Sequence, residues 1–286
     1  MPRPSTGLFC CVKFGIATFI TDEGIRPGPL GAALEERGFD SLFIAEHSHI
    51  PASRESPYPG GGELPRVYYR TLDPFVALTA AASATQNLLV ATGIALVPQR
   101  DVIHLANEAA SLDVVSGGRA ALGVGAGWNR EEMRNHGADP KTRGAKMGEQ
   151  LAALKEIWTK EQAEFHGEHV NFDPIFAWPK PVQQPLPIYI GGESKAALDR
   201  LAKYGDAWLP RAQTTARELT EVRGWLAEQG RTDVPVTIFG AGRNQSALAG
   251  YVEGGVERVT LFLPTRPEAE TLAELDELAK WVQDNS

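Results

Sequence analysis

Eight times along this chain a short run rich in β-branched and aromatic residues gives way to a helix-forming stretch, and that alternation limits the fold more than any single motif does. The runs are Val12 to Ile20, Ser41 to Glu46, Leu88 to Val97, the glycine-rich stretch Arg119 to Trp128, Ile188 to Ile190, Ala207 to Leu209, Val234 to Phe239 and Arg258 to Leu263. Helix–strand alternation of this strictness implies parallel strands. Eight repeats in 286 residues fit a closed barrel, which needs roughly 250 residues. The expected fold is therefore α/β: a (β/α)8 TIM-like barrel, one domain over residues 12–286, with an insertion after strand four. Residues 1–11 read as a short flexible extension.

Helix boundaries are marked by ordinary local chemistry. Asp73 and Pro74 start an alanine-rich helix running to Thr85, and Gly38 caps the helix Leu30 to Arg37. Met147, Leu151, Leu154 and Trp158 lie on one face of a helix from Ala145 to Trp158. Glu131 to Gly144 reads as a polar connection, and Phe165 to Phe172 as a small hairpin in which His166 and His169 are solvated. Ser48 to Arg70 has no periodicity, is rich in proline and contains the triplet Gly60 to Gly62. A loop of that length is either a mobile cover over a site or an insertion without a role.

The net charge of −8 argues against nucleic acid or an anionic membrane as the main partner. No apolar run approaches the ~20 residues of a membrane span, and the start of the chain lacks a signal-peptide pattern. Cys10 and Cys11 are adjacent and are the only cysteines, so no disulfide framework is expected and a reducing, cytoplasmic setting is.

In a barrel of this kind the site lies at the C-terminal ends of the strands. Strand two ends in Glu46-His47, and His47 is a general acid/base candidate or a structural histidine. Strand three carries Thr92-Gly93-Ile94. Strand four ends in Gly125-Ala126-Gly127-Trp128, where glycines either admit a ligand close to the backbone or pack a strand end tightly. Strand five ends in Gly191-Gly192-Glu193-Ser194, which is an anion site at a helix start or a plain serine N-cap. His47 and His49 lack a third ligand at a metal spacing, so no metal is expected. Gly123-x-Gly125-x-Gly127 is not a dinucleotide fingerprint, because its third glycine comes one residue early.

These motifs, in their order and spacing, resemble the bacterial luciferase-like superfamily of flavin and deazaflavin enzymes. Within it the chain looks like the oxidoreductases that use the deazaflavin coenzyme F420. The resemblance covers nearly the whole chain. It rests on Gly38 to Ser41 with Glu46-His47, on Thr92 to Ile94, and on Leu112 to Arg119 leading into Gly123 to Trp128. It rests further on Pro179 to Pro181, Pro187 to Ser194 and Gly205 to Trp208. The resemblance implies a cis peptide at Gly93-Ile94 behind the cofactor ring, phosphate contacts at Ala126, Gly127, Gly191 and Gly192, and His47 near the ring's reactive edge. Glu46 is expected beside His47 as a catalytic group, and Thr92, Gly125, Trp128, Glu193 and Ser194 complete the cofactor set. Trp128 replaces a glutamate of the sugar-phosphate dehydrogenases, and Gly125 replaces a cysteine of the luciferase branch, so neither activity carries over. The expected activity is hydride transfer between F420 and a small organic substrate in a homodimeric enzyme. The rivals are a reduced-flavin (FMN) monooxygenase and a non-catalytic flavin-binding barrel. Arg66, Arg70, Arg130 and Lys141 are the expected partners of the coenzyme's acidic tail.

Overall fold

A computed structural model describes residues 12–285, and the expected extension at residues 1–11 lies outside them. Eight parallel strands form the barrel: β1 (Lys13–Thr18), β2 (Ser41–Ile44), β3 (Leu89–Thr92), β5 (Ala120–Gly125), β8 (Ile188–Gly191), β9 (Ala207–Leu209), β10 (Thr237–Ala241) and β11 (Arg258–Leu263). They run in the order β10-β11-β1-β2-β3-β5-β8-β9. The ring closes between β9 and β10 through isolated parallel bridges at Trp208–Val236 and Arg211–Phe239. One departure matters for the site. The third strand is not continuous: β3 stops at Thr92, and the two-residue β4 (Ala95–Leu96) resumes against β5 after a cis peptide at Gly93-Ile94.

The outer layer consists of α1 (Pro27–Glu36), α2 (Pro74–Ser83), α3 (Val102–Ser116), α5 (Arg143–Thr159), α6 (Lys195–Tyr204), α7 (Ala216–Glu228), α8 (Gln245–Glu253) and α9 (Glu268–Asn285). Their starts are chemically specified. Asp73 accepts from the N–H groups of Phe75 and Val76, Asp101 from those of Ile103 and His104, and Thr215 with Glu218 forms a reciprocal capping box. Two apolar layers result. The larger lies between strands and helices, with Ile16, Leu42, Leu78, Leu105, Leu122, Leu154 and Trp158 at its centre. The smaller fills the barrel itself with Phe43, Ala91, Ala121, Tyr189, Ala207 and Leu209. The barrel is thus plugged below its mouth, and a ligand is confined to the C-terminal rim.

The insertion after strand four holds α4 (Arg130–Asn135), α5 and a hairpin of β6 (Ala163–His166) with β7 (Asn171–Ile175). The segment expected to be a polar connection therefore begins with a helix, and that helix buries Glu131, Glu132 and Met133.

Candidate active site

A cavity of about 560 Å³ opens at the C-terminal rim, within the range of ligand sites. Phe19, His47, Tyr58, Tyr68 and Trp128 wall one side, and Gly192, Leu209, Arg211, Phe239 and Gly240 the other. Ile94, Gly125, Ala126 and Gly127 lie between them along β4 and the end of β5.

His47 leaves β2 into this space, and its ring is buried. Its Nδ1 lies 2.8 Å from Oε2 of Glu132, which is fully buried on α4. The other carboxylate oxygen accepts from the Ser48 N–H at 3.2 Å. A carboxylate partner fixes the proton on Nδ1, so Nε2 is the nitrogen left to face a ligand. The ring is further held by Tyr68 and Trp128, with centroids 5.2 and 5.7 Å away. This arrangement can take up or deliver one proton at Nε2.

Glu46 is placed differently from its expected catalytic role. One oxygen accepts from the Leu96 N–H at 2.6 Å, and the other from the Arg100 guanidinium at 2.8 and 2.5 Å. Arg100 also pairs with Asp73 and Glu108. These carboxylates keep Arg100 charged by raising its pKa, although burial acts against them as the largest single influence. Glu46 is therefore a strut that fixes β4 to the end of β2.

The glycines divide into two kinds. An added Cβ on Gly125 would collide with Ile94 Cδ1, and one on Gly191 would come within 2.8 Å of Ile94 Cγ2. Both line the cavity, and at both Ile94 already occupies the space a Cβ would take. Gly127, Gly192 and Gly240 have φ of +76°, +98° and +73°, and all three line the cavity. Only glycine holds that backbone without strain. With Arg211, whose guanidinium is paired with Glu193, they put main chain unshielded by a Cβ on the cavity wall, where a phosphate can approach it.

Three expected cofactor residues point elsewhere. Thr92 is buried and donates to the Gly123 carbonyl at 2.7 Å. Ser194 is an exposed N-cap of α6, accepting from the Ala197 N–H. Glu193 accepts from the Arg211 N–H at 2.7 Å and pairs with its guanidinium at 2.9 Å. The expected tail-binding cations are also reassigned in part. Arg66 pairs with Glu23, and Arg70 with Asp22 and Glu23, in the loop after β1. Arg130 and Lys141 are exposed and do not line the cavity, whereas Arg211 does. Among the described residues no group of three or more acidic, histidine or cysteine side chains could hold a metal.

The 48–70 segment does cover the site, and it is fastened. The Ser56 N–H and hydroxyl both donate to Glu131, at 2.6 and 2.5 Å, and the Ser56 oxygen accepts from the Arg130 N–H. A short 3-10 turn, Arg66–Tyr69, then presents Tyr68 to the cavity. Sequence reasoning missed Glu131 and Glu132. The available signal was Asn129 three residues before Glu132, since Asn129 caps α4 by accepting the Glu132 N–H.

The model of a family described as luciferase-like monooxygenase matches residues 29–247. An uncharacterised protein of Mycobacterium tuberculosis is 35% identical over 275 residues, covering 94% of this chain and 98% of its own. An F420-dependent glucose-6-phosphate dehydrogenase of Nakamurella multipartita is 30% identical over 193 residues, covering 63% of this chain and 50% of its own. An FMNH(2)-dependent dimethylsulfone monooxygenase of Pseudomonas putida is 35% identical over 131 residues, 44% of this chain and 36% of its own. Among solved structures, the monooxygenase RslO1 of Streptomyces bottropensis superimposes with a TM-score of 0.79 at 16% identity, covering 96% of this chain and 99% of its own.

Proposed function

This chain belongs to the luciferase-like monooxygenase family, and we propose that within it the protein is an oxidoreductase passing a hydride between coenzyme F420 and a small organic substrate. The observation that carries the reading is the His47–Glu132 pair, which leaves Nε2 unpaired on the one histidine that lines the rim cavity among the described residues. The similarity to an F420-dependent dehydrogenase supports the coenzyme.

Gly127, Gly192, Gly240 and Arg211 would hold the coenzyme's phosphate, and Ile94 and Ala126 would support its ring. The deazaflavin, when bound, supplies hydride acceptance and donation at ring carbon five. His47 supplies the proton that must accompany the hydride. In the oxidising direction its Nε2 takes the proton of a substrate hydroxyl, and in the reducing direction it returns one to a carbonyl oxygen. Glu132 stabilises the imidazolium that forms on proton uptake. Tyr58, Tyr68 and Trp128 exclude water from the reacting centre. Glu46 and Arg100 act at one remove, by fixing the backbone at Leu96.

Separate titrations with F420 and FMN, followed by turnover assays, test the reading. F420 is expected to bind more tightly than FMN, and Gly192→Ala to weaken it, because a left-handed φ strains any Cβ-bearing residue there. Tight FMN binding without F420 binding would transfer the site to the reduced-flavin monooxygenase reading, which the dimethylsulfone monooxygenase similarity favours. Binding of either coenzyme without turnover would leave a flavin-binding barrel.

A further inference from the structure

The two sides of the cavity differ in chemistry, and the difference bears on the substrate. The side formed beyond β8, β9 and β10 carries Gly192, Gly240 and Arg211. The side formed beyond β1, β2 and β5, with the 48–70 segment above it, is aromatic. Phe19 and Tyr68 have ring centroids 4.7 Å apart, Tyr68 and Tyr58 5.3 Å, and Tyr58 and Trp128 6.1 Å. His47 completes the circle by contacting both Tyr68 and Trp128. The contacts are tilted or edge-on, so ring faces remain available to a flat ligand.

Among the described residues no cation lines that side of the cavity. Arg66 and Arg70 above it are paired with Glu23 and Asp22. Arg100 behind it is consumed by Glu46, Asp73 and Glu108. Its acidic groups are equally engaged: Glu46 by Arg100, Glu132 by His47, and Glu131 by Ser56. Apart from the engaged Glu46 and His47, only tyrosines and uncharged groups line that side among the described residues. Burial, reinforced by the Tyr58 hydroxyl, pushes the Tyr68 phenol well above its ordinary pKa, so it stays protonated. A phosphate or carboxylate entering here would lose its hydration without gaining a counter-charge.

We propose that the substrate is an uncharged molecule with a planar aromatic or conjugated ring, held among Phe19, Tyr58, Tyr68 and Trp128, with one hydroxyl or carbonyl oxygen on His47 Nε2. Sugar phosphates do not meet this description. The proposal rests on the hydride-transfer reading for the role of His47, while the ring selectivity can be measured without turnover.

Calorimetry on the full chain, with oxidised F420 and without it, decides the matter using three probes. 2-Acetylnaphthalene offers a ring and a carbonyl, 2-naphthoate the same ring with a charge, and glucose 6-phosphate a charge without a ring. Saturable binding is expected for 2-acetylnaphthalene, binding at least ~10-fold weaker for 2-naphthoate, and none for glucose 6-phosphate at matched concentrations. Trp128→Ala and Tyr68→Ala should each weaken the ketone by ~10-fold, whereas Tyr68→Phe, which keeps the ring, should stay within ~3-fold. Circular dichroism identifies any variant that fails to fold, and Trp128→Phe then replaces Trp128→Ala. Equal or tighter binding of either charged probe, or unchanged ketone affinity in folded Trp128 and Tyr68 variants, overturns the proposal. Failure of F420 to bind overturns the coenzyme assignment instead, and the titration without coenzyme still judges the ring site.

Discussion

The two ends of β5 carry buried polar clusters of similar make-up and opposite character. At its N-terminal end Asp113 is fully buried and accepts from the Ala120 N–H, the Gln183 N–H and the Gln183 amide. Beside it Arg119 donates to the carbonyls of Ser116, Leu88, Ala82 and Thr85. Both side chains are consumed within the chain. At the C-terminal end the His47–Glu132 pair is just as buried, yet the imidazole lines the cavity and its Nε2 has no hydrogen-bond partner among the described residues. A motif of glycines, an acid and a cation looks equally distinctive at either end. Function belongs to the end whose hydrogen-bonding capacity is left incomplete.

The sharpest way to break this comparison is Asp113→Ala, which strands the Ala120 and Gln183 N–H groups and removes one partner of the Gln183 amide. It should cost about 3 kcal/mol or more, seen as a lower urea midpoint, with coenzyme affinity unchanged in the folded fraction. A large affinity loss there would erase the distinction between the two ends. Next comes His47→Ala, which should lower turnover by ~10²-fold or more, about 2.7 kcal/mol, while coenzyme affinity changes less. Glu132→Gln should produce a smaller loss and alter the pH profile of kcat, because Nδ1 loses its carboxylate partner. Near-normal turnover in both would make the pair a structural twin of Asp113 and Arg119.

A smaller contrast separates two arginines. Arg211→Ala should weaken coenzyme binding by ~10-fold, as expected for a hydrogen-bonded charge at a phosphate. Arg66→Ala should change it by less than ~2-fold, since its exposed pairing with Glu23 contributes little. Equal effects would return the acidic tail to the 48–70 side of the rim. The smallest effect concerns the fastening of that segment. Burial raises the pKa of Glu131, but the Ser56 hydroxyl and N–H, helped by Arg134, outweigh it and leave the carboxyl below its ordinary value. Stability from a lowered carboxyl is present above its unfolded value and lost as pH falls through the folded one. Limited proteolysis should therefore cut the segment faster below about pH 4.5, and Glu131→Gln should do the same at neutral pH. A cleavage rate independent of pH and of that substitution would show the segment is held by other contacts.

The barrel was legible because each strand is a short apolar run and several helices announce their start. Asp73, Thr215 and Ser194 act over two or three residues, which is the range a sequence displays directly. Partnerships across long separations were not legible. Glu132 meets His47 across 85 positions, and its helix of 6 residues is too short to show a period. Arg66 and Arg70 resembled free cations because Glu23 and Asp22 lie 43 and 48 positions earlier. Gly125 and Gly191 line the cavity, but the sequence did not show that their size also answers to Ile94, whose position follows from the interruption of the third strand.

The closure of the barrel has a mechanical consequence. β1 and β11 run together over six paired positions, whereas β9 and β10 meet only at isolated bridges. β10 also shifts register between Ile238 and Ala241, with Gly240 in a left-handed turn. The seam is therefore the compliant stave of the barrel, and two residues that bridge it, Arg211 and Phe239, also form part of the cavity wall. Amide exchange would register the same asymmetry, with Trp208, Phe239 and Ala212 releasing their hydrogens well before the amides of β1.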